Sequence, residues 1–353
     1  MSKKKIAGII VGVVCIIAII IVVITGLPTP EGGTDGEIPQ GNSEGKIVFE
    51  TAGNIHIIDP DGSNERRLAE GEGPRWSPDG KRILFHKHSS SSTGPGLYVI
   101  NSEGTGETRI FAPSLSPTSW EWYDFYRWSP DGTKILVAPG LAGRERDFLD
   151  SGGGVYSVSS DGSGLIRLVE IKSQGAGFSP DGEQIVFIAR EGLLEQEFSD
   201  DGHKYSLYVM NPDGTEKARI ADDTLHIDYL PNLALSYSPD GTRILYGDSE
   251  GLYVINADGS NKISLITSDY HSTHEPAWSP DGRKIACIVQ GTICIMNPDG
   301  TGKVEIDLPS CEALSWSPDS KKIVCGCSGD IYIVNADGSD AKNLVSGRYP
   351  NWS

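Results

Sequence analysis

The sequence predicts an all-β fold: a seven-bladed β-propeller of four-stranded antiparallel blades, preceded by one N-terminal transmembrane helix. Three observations carry the prediction. A segment Trp-Ser-Pro-Asp-Gly-x-x-Ile recurs along the 353 residues, short apolar runs alternate with Gly-containing turn signals, and the two chain ends hold complementary fragments of one repeat. Self-similarity at a few tens of residues marks repeat architectures.

The repeat stands as Trp76 to Ile83, Trp128 to Ile135 and Trp278 to Ile285, then with another aromatic as Phe178 to Ile185 and Tyr237 to Ile244. Trp316 to Ile323 carries Ser320 in place of Gly, and Asn351-Trp352-Ser353 is a partial copy. Each residue of Ser-Pro-Asp-Gly suits its place in a type I turn: Ser caps position i, Pro presets φ at i+1, and Gly tolerates the positive φ that follows. A hairpin is therefore written into every copy. Strand a, ending in the aromatic and Ser, precedes the turn, and strand b follows it, as in Lys81 to Phe85. Strand c is the next apolar run, as in Leu97 to Ile100, Leu252 to Ile255 and Ile331 to Val334. A second turn, Asn-Pro-Asp-Gly at Asn211 and Asn297 or Asn-Ala-Asp-Gly at Asn256 and Asn335, leads to strand d, as in Lys342 to Val345.

Continuous apolar runs, rather than strict alternation, predict sheets covered on both faces by neighbouring sheets, which is how propeller blades pack. The aromatic-Ser positions lie 52, 50, 59, 41, 38 and 36 residues apart, near the ~40–50-residue period of propeller repeats. Lys46 to Phe49, Ile55 to Ile58 and Arg66 to Leu68 read as strands b, c and d with no strand a, whereas the last residues read as a strand a with nothing after it. Together they complete blade one. Seven strands a, at residues 76, 128, 178, 237, 278, 316 and 352, count seven blades, and closure removes the open sheet edges.

Ahead of the ring, residues 1–5 read as a basic cytoplasmic tail containing Lys3, Lys4 and Lys5, and residues 6–25 are apolar and uncharged. Such a span can cross the ~30 Å hydrocarbon core, with the basic flank retained in the cytoplasm. It reads as an uncleaved signal-anchor; a cleaved signal peptide is the competing reading, with a normally shorter apolar region of ~7–15 residues. Residues 26–45, with Pro28, Pro30, Pro39 and six glycines, read as a flexible linker to the propeller at 46–353. The expected placement is a single-pass protein of the cell membrane, its N-terminus cytoplasmic and its propeller extracytoplasmic.

Outside the membrane this topology leaves 27 basic against 48 acidic residues. That balance excludes nucleic acid as the expected partner, since phosphate binding depends on Lys and Arg. Five of the six cysteines follow the membrane segment. Cys287 and Cys294 flank the tight turn at Gln290-Gly291 at matching distances, and Cys311 and Cys327 lie near the same end of the a–b hairpin of blade seven; both pairs are disulfide candidates, leaving Cys325 free. The alternative is that all five are small buried apolar residues.

The a–b and c–d turns are short and uniform, so length variation falls in the b–c and d–a loops on the opposite face, where function is expected. The longer loops gather in blades two to four, at 86–96, 111–126, 139–153, 190–205 and 221–235. Trp120, Trp122, Tyr123 and Tyr126 form the densest aromatic cluster, suited to sugar stacking or a protein hot spot, or else to filling the core of their own loop. His271 and His274 before strand a of blade six, and His226 one blade earlier, are candidate ligand-binding residues; their spacing matches no helical zinc motif, and no metal or other cofactor is expected. Asp59-x-Asp61-Gly62 reads as a hairpin turn rather than a calcium loop.

The pattern Gly-x-Ile, Asn-x-Asp-Gly and Trp-Ser-Pro-Asp-Gly resembles the TolB-type, WD-repeat-like propeller motif across essentially all of residues 45–353. The resemblance implies an envelope protein that binds partner proteins. The chain departs from TolB in having seven blades rather than six, no preceding α/β domain and a membrane segment. Related propellers precede the catalytic domain of prolyl-oligopeptidase-type peptidases, and similar seven-bladed rings occur in oligogalacturonate lyases, which use a histidine-rich metal site. The expected function is a non-catalytic scaffold holding a protein or peptide on the loop-rich face. The alternative is a carbohydrate-binding or metal-dependent, carbohydrate-cleaving propeller.

Overall fold

The computed structural model describes residues 45–88, 91, 93–112, 126–138, 154–170, 173–190, 204–221, 225–226, 235–248, 250–267 and 273–353. The apolar segment 6–25 and the linker up to residue 44 lie outside these; among the described residues no helix is long and apolar enough to cross a membrane.

Seven antiparallel sheets follow one another, each with its strands in the order a-b-c-d. Blade one is assembled from both chain ends: Arg348–Trp352 pairs with Ile47–Thr51, which continues to Asn54–Ile58 and Arg66–Glu70. Ile47 lies opposite Trp352, the closure expected from the two fragments. Ser353 and Lys46 seal the joint, the Ser353 N–H donating to the Lys46 carbonyl at 2.9 Å. Trp352 packs with Ile47, Phe49 and Ile58 of its own blade and with Val324, Ile331 and Ile333 of blade seven. Blade four carries one addition, a short strand Leu225–His226 pairing with strand c.

The repeat's consensus residues are used by the turns. In blade two, the Ser77 hydroxyl lies 2.5 Å from Asp79 Oδ1 and accepts the Arg82 N–H at 2.9 Å. Asp79 also accepts the Lys81 N–H at 3.1 Å, and Gly80 takes φ of 65°, the conformation that glycine adopts without a Cβ clash. The same Ser–Asp pairing recurs at Ser129, Ser179, Ser238, Ser279 and Ser317. These hydrogen bonds hold the turn aspartates below the usual carboxylate range, Asp240 at about 2.

Neighbouring blades are tied through the aromatic that ends strand a. The Trp128 indole N–H points to the Arg75 carbonyl at 3.4 Å and the Trp316 indole donates to the Ala277 carbonyl at 3.2 Å, each reaching one blade back. Arg82 of blade two lies over the Trp128 ring at 5.0 Å and donates to Gly132 and Ser160 of blade three. Inner strands meet inner strands: Glu72–Trp76 of blade two packs against both Arg348–Trp352 and Ile47–Thr51 of blade one.

Candidate functional site

Strands a begin, and strands b end, on the loop-rich face. The pairing register gives each of these positions an equivalent in every blade. Counting three residues beyond the strand-b Ile that faces the strand-a aromatic gives Glu50, His86, Ala138, Ile188, Gly247, Ile288 and Gly326 in blades one to seven. Five blades carry a small or apolar residue there, with Ala138, Ile188 and Ile288 at most 2% exposed. Blades one and two carry ionisable side chains in the same enclosed position.

These two side chains belong to one cluster. Glu72, the first residue of strand a in blade two, lies opposite His86. The register then slips by a β-bulge before Arg75, a device that bends a strand and re-aims its side chains. Glu72 Oε2 sits 2.8 Å from His88 Nε2 and 3.8 Å from His86 Nε2. The two imidazoles stand edge to face, with ring centroids 5.1 Å apart. His86 Nδ1 faces the Tyr126 hydroxyl at 3.3 Å, and that hydroxyl donates to the Gly73 carbonyl at 2.5 Å. The Gly73 N–H donates to the Glu50 carboxylate. Gly73 alone thus links Glu50, on blade one, to Tyr126, on blade three, through its N–H and its carbonyl.

Gly73 is required by that geometry. Its φ is 60°, and a Cβ there would lie 2.6 Å from the Tyr126 hydroxyl and 3.2 Å from the His86 ring. Burial dominates the electrostatics. It pushes the His86 imidazole down to about 3, helped by the nearby His88, and raises the Glu50 carboxyl to about 7, helped by Glu72 and opposed by the Gly73 N–H, Arg348 and His88. Glu50 Oε2 is buried without a hydrogen-bond partner. Around the inner strands the charges continue with Arg348, opposite Glu50, whose Nε lies 3.6 Å from Glu312 of blade seven.

The residues singled out from sequence fall differently. Trp120, Trp122, Tyr123 and His271 lie outside the described residues. Tyr126 is 6% exposed, and its hydroxyl orients His86 rather than offering a stacking face. His274 occupies the blade-six position equivalent to Glu72, but its pairing partner is Ile288. His226 pairs with Lys204 on the added strand of blade four. Cys311 and Cys327 are joined by a disulfide. Cys287 and Cys294 are register partners, as their equal distance from the turn requires, yet both thiols are free, as is that of Cys325.

Strand parity explains the difference between the two pairs. The residues flanking a two-residue hairpin exchange hydrogen bonds, and two residues further on Cys287 and Cys294 form another hydrogen-bonded pair, whose side chains stand farther apart than those of a non-hydrogen-bonded pair. Cys311 and Cys327 approach to 3.8 Å between Cα atoms. Burial raises the Cys287 and Cys325 thiols to about 12, so they behave as apolar side chains.

What the sequence reading missed is the Glu50–Glu72–His86–His88 cluster. The signal was present: when the repeats are aligned on their own register, Glu50 and His86 stand where the other copies have Ala, Ile or Gly.

No protein-family model matches the chain. A Bacillus subtilis protein named uncharacterized peptidase YuxL is 33% identical over 168 residues, covering 39% of this chain and 24% of that protein, so the likeness spans about a quarter of the relative's length. Among solved structures, TolB from Acinetobacter baumannii superposes with a TM-score of 0.54 at 18% identity, covering 87% of this chain and 82% of that one. An oligogalacturonate lyase in complex with manganese gives a TM-score of 0.57 at 14% identity over 86% of each chain. At these identities the likeness is one of fold: the chain is a seven-bladed β-propeller whose structural neighbours include TolB.

Proposed function

We propose that the chain is a membrane-tethered, extracytoplasmic propeller that binds a protein or peptide partner on its loop-rich face, without catalysis, and that it engages the partner where blades one and two meet. The observation that carries this reading is the replacement of an enclosed Ala, Ile or Gly by Glu50 and His86 in two adjacent blades. Ionisable groups at enclosed positions cost stability, and proteins keep such local inconsistencies chiefly at functional sites. The neighbouring carboxyls of Glu50 and Glu72 suit a cationic group on the partner. The apolar, uncharged 6–25 segment supports the tether, and the fold likeness to TolB is compatible with a binding role.

Photo-crosslinking in native membranes tests it. A photoreactive residue at Thr93, in the b–c loop of blade two, is expected to capture one specific protein, while the same probe at Gln290, in the b–c turn of blade six, captures none. Equal labelling from both positions, or none from Thr93, would overturn the reading.

One observation favours a second reading, a metal-dependent carbohydrate-binding or carbohydrate-cleaving propeller: two imidazoles and a carboxylate converge at the same face. Binding to a glycan array that is abolished by Trp122→Ala would replace the protein partner with a carbohydrate.

A further inference from the structure

We propose that Glu72, His86 and His88 form a binding site for a divalent transition-metal ion, with zinc best matched to two imidazoles and one carboxylate. Their ligand atoms all lie within 4.8 Å of one another. Tetrahedral zinc with bonds of about 2.0–2.1 Å holds its ligand atoms about 3.3 Å apart. The two separations from Glu72 Oε2, 2.8 Å to His88 and 3.8 Å to His86, bracket that value. Movements of about half an ångström at each ring would complete the geometry.

The placement supports the same conclusion. Glu72 and His86 are cross-strand partners and His88 follows two residues later, so all three ligands lie on, or next to, two paired strands. Such elements hold a constellation more tightly than loops do. Metal-binding histidines almost always anchor their second ring nitrogen, which fixes the tautomer. Tyr126 does this for His86. Because its O–H donates to the Gly73 carbonyl, its oxygen accepts from His86 Nδ1–H, leaving a lone pair on Nε2, the nitrogen that faces Glu72. Glu50 places a second carboxyl beside the cluster, its Oε2 buried and without a hydrogen-bond partner. Three protein ligands leave a coordination position open, as in sites where water or a ligand group completes the shell.

This inference goes beyond the partner-binding reading and does not rest on it. The test uses the purified, chelator-stripped chain with zinc chloride alone, followed by titration calorimetry and metal analysis, with cobalt(II) absorption as a report on geometry. The expected result is one zinc per chain and a tetrahedral-type cobalt spectrum. Glu72→Gln and His88→Ala should each weaken binding by more than about 100-fold, and Tyr126→Phe, which removes only the orienting hydroxyl, by about 10-fold. His274→Ala in blade six should leave both affinity and stoichiometry unchanged. Thermal unfolding of the metal-free variants identifies any that fail to fold, and the isosteric Glu72→Gln and Tyr126→Phe keep the test decisive. Zinc binding that is absent, or unchanged in the folded Glu72→Gln and Tyr126→Phe variants, would overturn the site while leaving the crosslinking result untouched.

Discussion

In blade two, Glu72 lies opposite His86; in blade six the equivalent His274 lies opposite Ile288, in the same register, with a bulge at the same place. The backbone is therefore not what makes blade two different. Both blades use the same turn, the same inner strand and the same Trp to close on their neighbours. What differs is the side chain set into an enclosed position by an unchanged frame. His274 is the more conspicuous residue in the sequence, sitting in a segment with two histidines and a glutamate, yet its cross-strand partner is an apolar core residue. His86 is less conspicuous and faces a carboxylate. A repeat protein can thus localise chemistry by changing a few side chains in one repeat, since each repeat contacts chiefly its neighbours and the rest of the ring supplies the support.

That comparison assumes seven equivalent blades in a closed ring, and the largest effect expected comes from breaking the closure. Removing residues 349–353 deletes Trp352, 7% exposed and shared between blades seven and one, together with most of the strand that pairs with Ile47–Thr51. The loss of a buried Trp alone costs about 3–5 kcal/mol, and the unpaired strand adds to it. The melting temperature of the truncated ring should fall sharply; an unchanged value would mean that the blades are not coupled through this joint.

A smaller effect sharpens the difference between the two kinds of blade. Because the folded state raises the Glu50 carboxyl from its ordinary value to about 7, the native protein binds this proton more tightly than the unfolded chain does. Its contribution to stability therefore declines as pH rises from about 4.5 to about 7, and the full cost persists above that. Glu50→Gln should match the wild type at pH 4 and become more stable through this window, by about 1–2 kcal/mol at pH 8 once solvent screening of a partly exposed carboxyl is allowed for. Denaturant titrations at several pH values would show it. The wild type also carries the opposite slope of His86, whose imidazole is lowered to about 3, so the difference between the two proteins is the quantity to follow.

The fold was legible because the repeat's chemistry is local. Ser77, Asp79 and Gly80 satisfy a turn within six residues, and copies of that turn count the blades without reference to anything distant. Closure was legible too, since Trp352 and Lys46 to Phe49 are fragments of one pattern. The site was not legible by the same means. Glu72 and His86 are separated by a full hairpin and meet only through a bulged register, so no spacing along the chain announces them as ligand-site motifs do. The cysteines differ: equal distance from the turn placed Cys287 opposite Cys294, and the same count makes them a hydrogen-bonded pair, whose thiols stay unbonded.

The most direct test of whether blades one and two hold the functional site is to give them the residue found in blades four and six. Glu50→Ile combined with His86→Ile, unfolded by denaturant in metal-free buffer at neutral pH, is expected to be at least as stable as the wild type, because removing both ionisable groups relieves their burial, while zinc and partner binding are lost. A loss of stability of the size seen on truncating a core residue, about 2–5 kcal/mol, would contradict this, showing that Glu50 and His86 serve the ring rather than a ligand.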